Sequence, residues 1–399
     1  MTTLAPIRPE EPAAAVVAAA PRPWWRRGAA RARQVYGVLV LAGAALWLAY
    51  ALLRRAVSGH WHWSLLLDAV PPVALLGLPG LVLLAAAGAA GRVRRWAALL
   101  ALAGVALGVD QSGLNWHALR PGDRPVPAGA LHVVSWNTQY WDQWDDTEAL
   151  YAYLKRQNAD VYLLQEHVIW IPGTGEAGYH PLADDDRLRR EFPDHHIARR
   201  GELLTLSRYP IVAQPPVGPD VALAADPGTP FKRVFDRAKV LRTDLRVGDR
   251  VLSAYNVHIT VQTAVDLSFF SDFDFDRYYR RKFDWRQEEI RGLEADVAAN
   301  PHPALISGDF NSTSAMGNMD RLRDLTDDAT RASRDLLPLT WKFDSPTGFD
   351  WDSVLDRPLP FWRVDWTLTR GPVEVHRYDL RSAERLSDHR LQEVWVSLR

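Results

Sequence analysis

Leu305-Ile306-Ser307-Gly308-Asp309-Phe310-Asn311 is a short apolar run that ends on an acid and an amide. It reads as a buried strand that delivers polar groups at its edge. The pattern recurs on both sides of it. Leu131 to Asn137 ends on an amide, and Val161 to Glu166 ends on a carboxylate. Val257-His258 follows a third run, Arg363-Val364-Asp365 lies in another, and Ser387-Asp388-His389 precedes the last. Strand edges hold side chains rigidly, so ligands and catalytic groups collect there. Between these runs, Thr147 to Gln157 and Arg286 to Ala299 carry helical periodicity. Further apolar runs at 203–206, 240–245, 251–257 and 391–396 read as strands. The expectation is an α/β domain with two sheets over residues 130–399.

The edge residues are hard oxygen donors and two imidazoles, and the 399-residue chain has no Cys. That excludes a disulfide framework, thiolate metal ligands and a Cys nucleophile. A Glu with Asn or Asp oxygens suits Mg²⁺ or Mn²⁺, which leave positions open for water and phosphate. Two His with carboxylate neighbours add an acid and an orienting hydrogen bond. This is equipment for attack of water on a phosphoester.

With its motifs in this order, the sequence resembles the endonuclease/exonuclease/phosphatase superfamily. The matching segments are Ser135-Trp-Asn137-Thr, Leu164-Gln-Glu166, Leu206-Ser-Arg208-Tyr-Pro-Ile211, Asn256-Val-His258, Gly308-Asp309-Phe-Asn311, Arg363-Val-Asp365-Trp and Ser387-Asp388-His389. The resemblance implies a four-layer αββα sandwich with two mixed sheets. It implies Glu166 as the main metal ligand, with Asn137 and Asp388 beside it, and Mg²⁺ or Mn²⁺ as the cofactor. Asp309 would orient or deprotonate the attacking water. Asn311 and His258 would bind the scissile phosphate, with Arg208 as a further phosphate contact. His389 would stabilise the developing charge, held by Asp365.

The N-terminal third differs. Its net charge to Gly129 is about +8, whereas the remainder carries about −9. Residues 1–34 read as a basic tail, rich in Ala and Pro to Pro23, without a core-forming pattern. Residues 35–114 hold three apolar stretches, Val35 to Leu53, Leu65 to Ala90 and Trp96 to Val109, expected as about three transmembrane helices. Arg-rich segments before the first and after the second place those ends in the cytoplasm. Three spans would make the protein a multi-pass protein of a bacterial-type membrane, with its main domain extracytoplasmic. His60-Trp61-His62-Trp63 reads as an aromatic belt at the interface. Residues 115–129 read as a Pro/Gly linker.

The expected function is membrane-anchored, metal-dependent hydrolysis of a phosphodiester or phosphomonoester. The substrate would be a nucleic acid, a phospholipid or an inositol phosphate. The acidic domain argues against tight electrostatic binding of nucleic acid, although a divalent metal bridges phosphate to acidic surfaces. A non-catalytic membrane module with the same fold is the alternative, and retention of each expected site position argues against it. A transport path is poorly provided for, with only Asp68 and Asp110 in or near the apolar runs. No segment points to an obligate protein partner. The aromatic stretch Ser268 to Trp285 reads as an insertion. Its Asp272, Asp274 and Asp276 lack the Gly and the terminal acid of a calcium loop. Asp184-Asp185-Asp186 and His195-His196 read as solvated surface.

Overall fold

The computed structural model describes residues 24–120, 125–142, 147–171, 174–261, 275–342, 362–382 and 386–399. The expected N-terminal tail to Pro23, the middle of the linker and residues 268–274 of the insertion lie outside them.

Fourteen strands form among the described residues: β1 (Leu131–Asn137), β2 (Val161–Gln165), β3 (Val168–Trp170), β4 (Tyr179–Pro181), β5 (His196–Arg200), β6 (Leu203–Ser207), β7 (Ile211–Ala213), β8 (Val240–Val247), β9 (Arg250–His258), β10 (Ala304–Asp309), β11 (Asp327–Asp328), β12 (Asp365–Arg370), β13 (Val373–Arg381) and β14 (Leu391–Leu398). They make two six-stranded mixed sheets, ordered β13-β14-β1-β2-β6-β5 and β11-β12-β10-β9-β8-β7, with a small β3-β4 hairpin. The helices are α1 (Trp24–Val57), α2 (Ser64–Leu67), α3 (Pro72–Ala86), α4 (Gly91–Gln111), α5 (Thr147–Gln157), α6 (Asp185–Glu191), α7 (Val221–Ala225), α8 (Phe231–Arg237), α9 (Phe275–Ala299) and α10 (Asp320–Leu325).

Period-two alternation sorts the side chains into layers. On β1, Val134 and Trp136 face α5 and α6, packing with Leu150, Leu154 and Leu188. Leu131 and Val133 face the other way, against Leu245, Leu252, Ala254 and Leu305 of the second sheet. That sheet's far face packs Ile306, Trp366 and Leu368 on Ile290, Leu293 and Val297 of α9. Three apolar cores between four layers make the αββα sandwich. Each fully buried side chain of this kind contributes about 1.5–3 kcal/mol.

The expectation of three transmembrane helices is corrected. Among the described residues one helix, 28–57 within α1, is long and apolar enough to cross a membrane. The second apolar run breaks at Asp68–Pro71, and its main helix α3 has 15 residues, too short at ~1.5 Å each for a core of about 30 Å. The third becomes the 21-residue α4, which takes in Arg92, Arg94, Arg95 and Asp110. Both α3 and α4 pack along α1. The outer face of this helical unit is apolar, with Leu39, Leu46, Leu81 and Leu84 exposed.

The helical unit is joined to the sandwich by a polar seam. The Arg54 guanidinium, fully buried, pairs with Asp68 at 3.1 Å and donates to Gln111 Oε1 at 2.8 Å and to the Ala315 carbonyl. Ser58 Oγ donates to Asp68 and accepts from the Gly317 N–H, both at 2.9 Å. Gly59 has φ +75°, and a Cβ there would lie 2.7 Å from the Asn318 nitrogen, so only glycine lets the two backbones meet. Asn115, expected to begin the linker, donates instead to the Thr330 carbonyl at 2.7 Å. His62 and Trp63 also depart from the interfacial-belt reading. His62 bonds Asp276 at 2.7 Å, and Trp63 stacks on Phe275 and Tyr279. The insertion is helical from Phe275 onward, as the first turns of α9.

Candidate active site

Strand register builds the site. β10 runs parallel to β9 and antiparallel to β12, which sets Asp309 beside His258 on one side and Asp365 on the other. Gly308, at φ +147°, leaves no room for a side chain against the Val257 carbonyl, so glycine lets the strand turn its last carboxylate inward. In the first sheet β1 and β2 are parallel, with Asn137 beside Gln165, and Glu166 follows at φ +60°. Asn311 also sits at positive φ, as do Gln139, Tyr140 and Trp141 in succession. Five of the six non-glycine residues with positive φ among the described residues line this region. Such backbone costs of order 1–3 kcal/mol per residue and persists where the surroundings over-determine it.

Asn137 joins the two sheets' carboxylates. Its amide donates to Glu166 Oε1 and to Asp309 Oδ2, each at 3.1 Å. The Tyr140 N–H donates to Glu166 Oε2 at 3.1 Å. Asn311 donates from its backbone to Asp309 Oδ1 at 2.7 Å and from its amide to Asp309 Oδ2 at 3.2 Å. Asp388 accepts from the Trp341 indole at 2.8 Å, and its own N–H donates to Gln139 at 2.9 Å.

Two imidazoles flank Asp309 in matching fashion. His389 Nδ1 meets Asp365 at 2.8 Å, and its Nε2 lies 3.7 Å from Asp309 Oδ2. His258 Nδ1 meets Glu202 at 2.8 Å, and its Nε2 also lies 3.7 Å from Asp309 Oδ2 and 3.8 Å from Glu166. In both rings the carboxylate on Nδ1 leaves Nε2 facing the centre. Asp309, Asp365 and His389 bring ligand atoms within 4.8 Å of one another. His389 spends Nδ1 on Asp365, so only its Nε2 faces Asp309 and the centre.

Burial pushes the carboxyl groups of Glu166, Asp309 and Asp388 above their ordinary range, against the pull of His258 on Glu166 and of His389 on the other two. Burial opposes charge on the His389 ring too, but Asp365, Asp309 and Asp388 outweigh it and hold the ring well above its ordinary value. Among the described residues, none of Glu166, Asp309 and Asp388 has a Lys or Arg at ion-pair distance. Three crowded carboxyl groups with no Lys or Arg beside them, offering hard oxygens, fit a divalent cation.

Of the nine residues expected from the sequence, eight converge here: Glu166, Asn137, Asp388, Asp309, His258, Asp365, His389 and Asn311. Arg208 does not. It pairs with Asp160 at 3.1 Å and with Asn158, at the far edge of the sheet. The reason is strand direction. β6 runs antiparallel to β2, so the residue after β6 lies where β2 begins. The same antiparallel pairing brings in a residue that the sequence reading missed. Glu202, at the start of β6, accepts from the Glu166 N–H at 2.7 Å and from Lys239 at 2.8 Å. Asp184 departs from the solvated-surface reading as well, since it accepts from Tyr151, His167 and Arg199.

Glu202 carries a prediction. Lys239 and His258 outweigh its burial and hold its carboxyl down at about 2, against an ordinary 4.5. The folded value lies below the unfolded one, so the stabilisation is present above pH 4.5 and lost as pH falls towards 2. Glu202→Gln leaves Lys239 buried without its carboxylate and is expected to cost about 3–5 kcal/mol at pH 7. Melting temperatures of wild type and variant should converge as the pH is lowered from 7 to 3. Equal melting at pH 7 would remove the assignment.

A sequence model of the Endonuclease/Exonuclease/phosphatase family matches residues 134–389. No curated protein matches the sequence. The chain is similar to several solved structures. One is an endonuclease/exonuclease/phosphatase family protein from Leptotrichia buccalis (13% identity, 67% of this chain and 100% of that one, TM-score 0.43). Another is the endonuclease/exonuclease/phosphatase from Bacteroides vulgatus (15%, 68% and 100%, TM-score 0.43). A third is sphingomyelinase C from Streptomyces griseocarneus (15%, 67% and 99%, TM-score 0.40).

Proposed function

Because the chain belongs to the endonuclease/exonuclease/phosphatase family, whose members are hydrolases acting on phosphoesters, we propose that it hydrolyses phosphodiester bonds by metal-assisted attack of water. The observation that carries this reading is Asp309 between two carboxylate-held imidazoles, with Glu166 across the Asn137 amide. A divalent cation such as Mg²⁺ or Mn²⁺, held at Glu166 with Asn137 and Asp388 beside it, would supply Lewis-acid polarisation of a phosphoryl oxygen. Asp309 Oδ2 accepts a hydrogen bond from the attacking water and takes its proton. Asn137 and Asn311 fix that carboxylate on the line of attack. His258 and His389 present Nε2–H to non-bridging phosphoryl oxygens, where charge builds. Glu202 and Asp365 accept from Nδ1–H, so a ring that also presents Nε2–H is the imidazolium form, which the carboxylates around His389 favour.

The apolar exterior of the helical unit supports a membrane anchor through α1. The Arg residues at 26, 27, 31 and 33 precede its apolar stretch, which favours a cytoplasmic N-terminus and an extracytoplasmic sandwich.

The test uses the full chain in detergent with a chromogenic phosphodiester. Hydrolysis should require Mg²⁺ or Mn²⁺, stop in EDTA, and fall by orders of magnitude in Glu166→Ala. Full activity in EDTA would sink the metal-assisted mechanism. Plasmid DNA, RNA, sphingomyelin and inositol phosphates then rank the substrate classes.

A further inference from the structure

One turn of backbone belongs to the site on one side and to a cavity on the other. Gln139, Tyr140 and Trp141 take φ of 49°, 59° and 58° in succession. On the inner side the Tyr140 N–H holds Glu166 Oε2 at 3.1 Å, and Gln139 accepts from the Asp388 N–H at 2.9 Å. On the outer side the turn walls a cavity of about 390 Å³, lined by Tyr140, Trp141, Tyr151, Trp170, Leu182 and Arg187 among others.

We propose that this cavity is a substrate subsite for a planar aromatic group, a nucleobase or an aryl ring, carried on the phosphoester. The proposal rests on the phosphodiesterase reading above and adds a substrate class to it. Three features argue for a flat ring. Tyr140, Trp141, Tyr151 and Trp170 contribute aromatic rings to a lining otherwise mostly aliphatic, with Val168, Ile169, Ile171 and Leu182. Tyr140 and Trp170 lie with ring centroids 5.0 Å apart, and the Arg187 guanidinium stands 4.0 Å over the Tyr151 ring. The size suits a small group, since ligand pockets begin at about 300 Å³. A long acyl chain would have to leave it. The third feature is pre-organisation. Trp141 is locked edge-on against His167 at 4.3 Å, while His167 and Tyr151 both bond Asp184. The walls therefore lose little freedom when a ring enters. Tyr140 lines the cavity and its N–H holds Glu166, so the subsite and the carboxylate edge share this residue.

The experiment compares, on the full chain, S-methyl phosphorothiolate diesters, whose ring-free leaving group is read as released thiol and which differ only in the second ester group: methyl, phenyl, 5′-thymidyl and dodecyl. Stacking against aromatic side chains favours a bound ring. Phenyl and thymidyl esters should therefore exceed the methyl ester in kcat/KM by about 10-fold or more, through KM. Trp170→Ala removes a wall and Leu182→Trp fills the space. Both should abolish the advantage while the methyl ester is turned over as before. Calorimetric titration with phenyl phosphate against methyl phosphate reads the same preference without turnover, so it stands even if the hydrolysis reading fails. A phenyl preference above a thymidyl one would point to an aryl ester, and the reverse to a nucleotide. Equal values for methyl and phenyl, in rate and in binding, would overturn the subsite. So would a dodecyl advantage that the two variants remove in the same way.

Discussion

Asp309→Asn is expected to lower turnover by about 10²–10⁴, the range for a group that moves a proton in the transition state. The carboxylate accepts from the Asn137 amide, the Asn311 amide and the Asn311 N–H. An Asn at this position keeps the shape and loses the proton acceptor. Its NH₂ would also meet donors instead of an acceptor. The fold is expected to hold, the relief of a disfavoured buried charge offsetting the mismatched NH₂. Burial raises the Asp309 carboxyl, so at neutral pH its ionised form is disfavoured in the folded state and removing the charge relieves that cost. Steady-state kinetics with melting curves separate the two effects. Wild-type turnover in Asp309→Asn would remove Asp309 from the mechanism.

His389→Ala should cost a similar factor, because its Nε2 faces the centre where phosphoryl charge develops. Asp365 reaches that centre through the ring, by a 2.8 Å bond to Nδ1. Asp365→Asn should therefore lose less than His389→Ala, and little more once His389 is absent. A double-mutant cycle on a chromogenic phosphodiester measures the coupling. Additive losses would mean that the two residues act separately.

Most of the site was legible because strands carry their chemistry at the ends of apolar runs. Asp309, Glu166, Asn137 and His258 all end a strand or follow one, and all lie at the edge that forms the candidate site. The rule fails where direction reverses. Arg208 follows β6 as Glu166 follows β2, yet the pairing of Val161 with Ser207 sends Arg208 to the opposite edge. Glu202 stands before its strand, in Arg200-Gly-Glu202-Leu, where a sequence reading sees only a surface turn. Strand direction depends on pairing between segments some forty residues apart, which local pattern does not encode. The helical unit was misread for a related reason. Hydropathy counts apolar residues, whereas the prolines at 71 and 72 and the arginines of α4 decide helix length and lipid exposure.

The meeting of Gly59 with Gly317 and Asn318 has a mechanical consequence. An enzyme on a flexible leash sweeps a volume around its attachment point and samples many orientations. A backbone-to-backbone joint, locked by the fully buried Arg54, removes those degrees of freedom. The loop that this joint grips, 313–318, follows Asn311 closely, so the mouth of the candidate site takes its tilt from the axis of α1. If α1 stands in a bilayer, the distance from the mouth to the lipid surface is a constant of the fold, and substrates must come to it at that height and from that side.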